Sequence, residues 1–191
     1  MIRLAEDPLI AASAFSSQVL SHSVELDAGA RWYALYTRGR HEKLVHRELQ
    51  KKRIETFLPL RIHKRHWSDR VKIVEEPLFK SYLFVHIPIQ QKLTVLNTVG
   101  AVSLVGARNR APVPLPDPEI EALRRFVQEE VAMDPFPYLK EGRRVCIRSG
   151  PFKGIEGFVV RKNQQCRLVI SLDMLMQSVS VELDSSEIEP V

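Results

Sequence analysis

Apolar residues recur at helical spacing in three stretches of this chain and alternate with polar ones in many others, which predicts a mixed α+β protein. "RWYALYT" (31–37) reads as a short aromatic strand. "GRHEKLVHRELQKKR" places Leu44, Val45 and Leu49 on one side of a helix. "IETFLPLRIHKRHW" and "RVKIVEEPLF" read as two long strands joined at Ser68-Asp69, a polar turn pair. "IQQKLTVLNT" is a short helix, "AVSLVG" a short strand and "ARNRAPVPLPDP" a Pro-rich loop. In "DPEIEALRRFVQEEV", Asp117 is the expected N-cap and Pro118 the first helical residue, with Ile120, Leu123, Phe126 and Val127 facing the core. Between these lies "FKSYLFVHI", a strand over residues 79–87. One of its faces carries Phe79, Ser81, Leu83, Val85 and Ile87, and the other Lys80, Tyr82, Phe84 and His86. A strand apolar on both faces must be covered twice, by the chain's own helices or by a partner.

The pattern changes near residue 132. "AMDPFPYLKEG" is a Pro-containing mixture expected to be a linker over 132–139. After it, "RVCIRSGPFKGIEGFVVRK" reads as strand, Gly-Pro-Gly turn and strand. "CRLVISL" sets Cys166, Leu168, Ile170 and Leu172 on one face, and "SVSVELD" sets Val179, Val181 and Leu183 inward with Ser178, Ser180 and Glu182 outward. Short strands with tight turns predict a small barrel over 140–191. A helical alternative for this segment would cost about 1 kcal/mol for each glycine and about 3 kcal/mol for Pro151. The expected organisation is an N-terminal extension over 1–30, a first domain over 31–131, the linker, and the barrel.

Charge sharpens this picture. The formal net charge is +5, but residues 31–72 hold 13 Lys/Arg against 4 Asp/Glu, a local excess of +9. Such an excess points to a polyanion such as nucleic acid, a solvated basic face being the bland alternative. On the first helix Arg40, Lys43, Arg47 and Lys51 form one stripe, ending at Lys52 and Arg53. Like charges at this spacing repel, and Glu42 and Glu48 relieve only part of it. The hairpin tip adds Arg61, Lys64, Arg65, Arg70 and Lys72 around Trp67, which either stacks on a base or packs across the strands.

Cys146 and Cys166 show neither CxxC nor His at ligand spacing, so a zinc site or disulfide framework is not expected and two reduced thiols suit the cytoplasm. No apolar run is long enough to span a bilayer, and Glu6, Asp7 and Pro8 interrupt where a signal peptide would need its apolar core. Nothing has the grammar of an enzyme: no Asp/Glu/His cluster at metal spacing, and no Gly-rich loop ending in Lys-Ser/Thr. No cofactor is expected.

Two sets of motifs resemble known families. "GRRVCIRSGPFKGIEGFVV", with glycines at 142, 150, 154 and 157 and the ending "VSVELDSSEIEPV", resembles a KOW domain. "WYALYTRGRHEK", "FLPL", "RHWSDRVK" and "EPLFKSYLFV", in that order, resemble the NusG N-terminal (NGN) domain, and most of all specialised NusG paralogs of the UpxY type, antiterminators of bacterial polysaccharide operons. The resemblance implies an antiparallel sheet flanked by helices followed by a β-barrel, acting as a monomeric transcription antitermination and elongation factor without catalysis. It implies an apolar patch gripping the clamp helices of the RNA polymerase largest subunit, here Tyr36, Phe79, Tyr82, Phe84 and Val102. It implies contact with the non-template DNA strand through Arg38, Lys51 and Lys52, with Glu48 a candidate acceptor for a cytosine amino group. The charge pattern adds Arg40, Lys43 and Arg47 of the helix stripe and Arg65 and Arg70 of the hairpin tip as nucleic-acid contacts.

For the barrel it implies a second partner, a small-subunit ribosomal protein or termination factor Rho, met by Phe152, Met174, Leu175 and Met176. Phe152 plugging the barrel mouth is the competing reading. Two departures stand out. Lys80-Ser81 replaces the family's Pro-Gly or Pro-Asn, and at Lys92-Leu93-Thr94 only Thr94 fits the His/Thr-rich motif with which some relatives touch the opposite side of the polymerase cleft. The rival function is a ribosome-associated or other RNA-binding protein using the barrel and the basic hairpin.

Overall fold

The computed structural model describes residues 29–66, 71–106, 111–139, 142–162 and 165–191. Most of the N-terminal extension, the Trp67–Arg70 turn and part of the Pro-rich loop therefore lie outside the described residues. Strand β1 (Arg31–Thr37) is flanked by β5 (Tyr82–Ile87) and β6 (Ala101–Leu104), and β2 (Glu55–Phe57) pairs with the far side of β5. All three pairings are antiparallel.

Both faces of this sheet are covered. Tyr33, Leu35, Leu83, Val85 and Ile87 pack with Val45 and Leu49 of helix α1 (Glu42–Lys51) and Val95 of helix α2 (Lys92–Leu96). Trp32, Ala34 and Phe84 belong to a second cluster with Leu115 and with Ile120, Leu123 and Phe126 of helix α3 (Asp117–Gln128). The double apolar character of residues 79–87 thus has an internal cause, since helices lie on both sides. Each fully buried Leu or Phe contributes roughly 1.5–3 kcal/mol. Helix α3 begins at Asp117 with Pro116 as its cap residue and no side-chain cap, one residue earlier than the pattern predicts.

Two expected strands are broken. Leu58-Pro59 divides the first into β2 and β3 (Leu60–His66), and the Pro59 carbonyl accepts from the Leu78 N–H at 2.9 Å. Proline has no N–H for the ladder, so β3 leaves the sheet and pairs with β4 (Val71–Pro77) as a separate two-stranded ribbon. The second break falls at 79–81, where the Tyr82 N–H donates to the Phe79 carbonyl at 3.2 Å and Ser81 takes φ 64°. This turn places Phe79 in the same cluster as Phe84, against the alternation expected of one continuous strand.

The C-terminal sheet has six antiparallel strands in the order β12-β8-β9-β10-β11-β7, consistent with a barrel-like KOW domain. They are β7 (Met133–Phe136), β8 (Arg143–Ile147), β9 (Glu156–Lys162), β10 (Gln165–Leu172), β11 (Gln177–Leu183) and β12 (Ile188–Pro190). Residues 133–136, read as linker, form β7 and pair with β11. That strand explains a further correction: Ser178 and Ser180 are buried, not outward. Ser178 Oγ lies 2.8 Å from Ser171 Oγ and accepts from the Leu139 N–H at 3.2 Å. Gly157 is required by close approach, because a Cβ there would sit 2.7 Å from the Val169 carbonyl oxygen.

Candidate functional site

The antiparallel register sets Trp32 opposite His86, Ala34 opposite Phe84 and Tyr36 opposite Tyr82 on one face of the sheet. Helix α3 covers the Trp32 and Phe84 part of that face. Arg124 seals the far end, its guanidinium 4.7 Å from the Trp32 ring centroid and hydrogen-bonded to Glu55 at 2.5 Å. The Tyr36 end is left open. Tyr36 is 40% exposed and pairs with Tyr82 at a ring-centroid distance of 5.3 Å. Val102, 48% exposed, lies on the neighbouring edge strand where the β1–β6 register slips between Tyr36 and Thr37, which leaves it unpaired. Burial, with Tyr36 nearby, pushes the Tyr82 hydroxyl above its ordinary pKa, so it remains a neutral donor at working pH.

The open end is held rigid from below. Glu42, buried at the start of α1, accepts the Ser81 N–H at 2.7 Å, and the Ser81 carbonyl accepts the Thr37 N–H at 2.8 Å. Serine therefore fills a left-handed position that favours glycine or asparagine, with a carboxylate fixing the turn. Lys80 beside it is exposed. Two of the five expected patch residues do not belong there. Phe79 is 1% and Phe84 0% exposed, packed edge to face at 5.7 Å in the core beneath α3. The 79–81 turn and α3 together withdraw them, leaving Tyr36, Tyr82 and Val102. Leu93 and Thr94 are exposed on α2.

The basic stripe is partly spent on the protein itself. Lys43 pairs with Glu75 at 3.3 Å, Lys51 with Glu48 at 2.7 Å, and Lys52 donates to Thr98 Oγ1 at 2.7 Å and the Thr94 carbonyl at 3.1 Å. The Lys51 contact holds the Glu48 carboxyl below its ordinary pKa, so it is an engaged anion rather than a free acceptor. Arg38, Arg40, Arg47 and Arg53 are exposed and, among the described residues, make no ion pair. Arg40 and Arg53 both have left-handed backbones, φ 63° and 59°. Arg53 closes α1 where glycine is usual: the Ile54 N–H reaches the Leu49 carbonyl and the Arg53 N–H that of Gln50. Arg70 lies outside the described residues, and Arg65 is placed only by its backbone, opposite Lys72.

At the barrel, Phe152 does not project into solvent. Its ring packs tilted against Phe126 of α3, the centroids 4.6 Å apart. Leu175 is 7% exposed, inside the apolar cluster, because the short 3-10 turn after β10 folds it inward. Met174 is half-buried, and Met176, at φ 52°, is exposed.

Comparison with known proteins settles the lineage of the first domain. Residues 30–124 match the family model described as transcription termination factor nusG. That segment is a NusG-family domain. The whole chain is similar to the transcription termination/antitermination proteins NusG of Lactococcus lactis (28% identical, spanning 88% of this chain and 96% of the relative) and Borreliella burgdorferi (22%, 84% and 98%). A solved structure described for domain interaction in Thermotoga maritima NusG shares the fold, with TM-score 0.54 over 86% of this chain and 99% of its own at 22% identity. Among the described residues, no helix is long and apolar enough to cross a membrane, and no group of His, Cys, Asp and Glu is placed to hold a metal.

Proposed function

We propose that this chain is a transcription antitermination and elongation factor that docks on the RNA polymerase clamp helices through Tyr36, Tyr82 and Val102. The observation that carries the reading is the paired, half-open Tyr36–Tyr82 end of an otherwise covered sheet face, backed by the buried Glu42 that holds the Ser81 turn. Rigid aromatics beside a solvent edge make good interface anchors, giving large contact area at little entropic cost. By binding the active, clamp-closed polymerase better than the paused one, the factor shifts the population toward elongation. No bond is made or broken by this protein.

The exposed arginines Arg38, Arg40, Arg47 and Arg53 support contact with the exposed non-template strand, which in specialised paralogs of polysaccharide operons is read as a short element. Arg40 and Arg53 occupy backbone conformations that cost arginine energy, and outliers of this kind are a mark of functional sites. The barrel tip around Phe152 and Met176 is the surface for a second protein, a ribosomal protein or Rho.

The test is retention of the purified chain on stalled RNA polymerase elongation complexes, wild type beside Tyr82→Ala and Tyr36→Ala. Retention by wild type with loss in both variants supports the docking face. Retention on naked RNA with indifference to polymerase would replace this reading by the RNA-binding one.

A further inference from the structure

The family match begins at residue 30, so the residues before it are an addition to the NusG-family domain. Their charge is opposite to that of the domain they precede. Residues 1–28 hold Arg3 against Glu6, Asp7, Glu25 and Asp27, a formal −3, directly ahead of the +9 of residues 31–72. The acids fall in two pairs, with the apolar Leu9, Ile10, Phe15, Val19 and Leu20 between them.

The exposed Arg38, Arg40, Arg47 and Arg53 have no anion of the folded domains to meet. Both carboxylates of α1 are engaged, Glu42 by the Ser81 N–H and Glu48 by Lys51. Asp117, Glu119, Glu121 and Asp173 line a cleft of about 1250 Å³ between α3 and strands β9 and β10, across the sheet from α1. The strand register brings the N-terminal acids to the stripe instead. Glu55 stands opposite His86 and His86 opposite Trp32, two strand spacings or about 10 Å, so Arg53 lies near the start of β1. Strand β1 is seven residues long, about 23 Å, and Arg38 and Arg40 follow at its other end. Asp27 and Glu25 stand two and four residues before Gly29, within reach of Arg53. Glu6 and Asp7 stand 23 and 22 residues before it, and that length of chain spans up to about 70 Å, enough to reach the Arg38 end. The surface beside the stripe is apolar as well. The Arg38 N–H donates to the Gly100 carbonyl at 2.9 Å and Lys52 reaches Thr94 and Thr98, which sets Leu93 and Val99, 69% and 73% exposed, next to α1.

We propose that residues 1–28 lie across the arginine stripe of α1 in the free protein and compete in cis with a nucleic-acid strand for it. This rests on the reading of those arginines as nucleic-acid contacts, given above. The two acidic pairs meet the guanidinium groups, and the apolar middle of the segment meets Leu93 and Val99, which a phosphate backbone does not fill. Tethering gives the segment an effective concentration on the order of millimolar, without any need for a tight contact. Exposed ion pairs are individually weak, so the cover is displaceable. A polyanion that binds only loosely is excluded, whereas a strand that sets several phosphates against the arginines at once displaces the segment. The competition thus raises selectivity by penalising the wrong ligand.

The experiment uses the full chain in four forms: wild type, Glu25→Gln with Asp27→Asn, Glu6→Gln with Asp7→Asn, and a control, Glu129→Gln with Glu130→Gln. The control removes two exposed acids just beyond α3, so all three variants change the net charge equally. Backbone amide shifts are read by NMR without nucleic acid, and affinity for an oligothymidine by fluorescence anisotropy. At low salt the Glu25/Asp27 variant is expected to shift amides around Arg53, and the Glu6/Asp7 variant those of residues 38–40. Each is expected to bind the oligothymidine several-fold more tightly than wild type, and the gain is expected to vanish at about 0.5 M salt, where exposed charges are screened. The control is expected to leave residues 38–53 unshifted and to gain less affinity. Unshifted amides over residues 38–53 in both N-terminal variants would overturn the proposal, as would an equal affinity gain in the control. If no form binds the oligothymidine, the nucleic-acid reading of the arginines falls and the competition with it. The amide shifts still decide whether the segment occupies the stripe.

Discussion

At the scale of single residues, the site depends on side chains that never touch a partner. Glu42 is the clearest case: it holds the Ser81 N–H and so the turn from which Tyr82 enters its strand. Glu42→Ala leaves that N–H without its charged acceptor, for an expected loss of about 1.5–3 kcal/mol in urea denaturation, together with weaker retention on elongation complexes. Glu42→Gln, which keeps an acceptor, is expected to lose less on both counts. Arg53 gives the opposite signature. Arg53→Gly removes the left-handed strain and is expected to hold or raise stability by up to about 1 kcal/mol while weakening binding to single-stranded DNA. A variant that gains stability and loses DNA affinity would separate the two roles cleanly; unchanged DNA affinity would return Arg53 to a purely structural helix end. Neither residue stood out as functional in the sequence, because a buried carboxylate and a left-handed arginine look like ordinary surface charges until the backbone is known.

At the scale of elements, helix α3 decides most of what the sequence left open. Its apolar spacing was legible, and Ile120, Leu123 and Phe126 are buried as expected, whereas Val127, expected on the same face, is 38% exposed. The spacing did not tell that Ala122, Arg125 and Phe126 would meet a second sheet, nor that α3 would bury Phe84 and take it out of the partner patch. The same helix carries a pH dependence. Burial, reinforced by the nearby Asp173, pushes Glu119 up to about 7 from an ordinary 4.5. The groups around it are Asp173, whose Oδ1 accepts from the Tyr138 hydroxyl, and Asp117, Glu121, Arg125, Arg144 and Glu156 along the cleft. A raised carboxyl pKa means the docked state prefers the protonated acid. The α3–barrel contact is therefore expected to be firmest near pH 4.5, to weaken as pH rises to about 7, and to change little above that. Relaxation measurements across this range check it, and Glu119→Gln is expected to flatten the profile. An unchanged profile in that variant would assign the pH response elsewhere.

At the scale of the whole molecule, the asymmetry of charge acquires a direction. The basic excess of residues 31–72 was plain in the sequence, but among the described residues the structure pairs Lys43, Lys51 and Arg61 within the protein and leaves Arg38, Arg40, Arg47 and Arg53 exposed. If those four each neutralise one phosphate of a single strand, log K for DNA falls with log salt at a slope of about −3. Replacing Arg47 by Ala is expected to make that slope shallower by about 0.7, whereas Lys43→Ala or Lys51→Ala would change it little. A salt-independent affinity would remove the nucleic-acid face from the proposal altogether.

The sequence by itself determined the local grammar: the strands and helices of an α+β chain, the Gly-Pro-Gly turn and strands of the barrel, and the family motifs. These depend on periodicity, turn chemistry and backbone freedom, all of which act between residues near one another in the chain. Only the tertiary structure decided which aromatic residues face solvent, that Lys43, Lys51 and Lys52 are engaged within the protein, and that residues 133–136 complete the barrel's sheet. Those outcomes depend on what packs against each face, and a strand apolar on two sides reads the same whether a helix or a partner covers it. Phe84 and Tyr82, two residues apart on one face, end on opposite sides of that distinction because α3 stops short of the Tyr36 end.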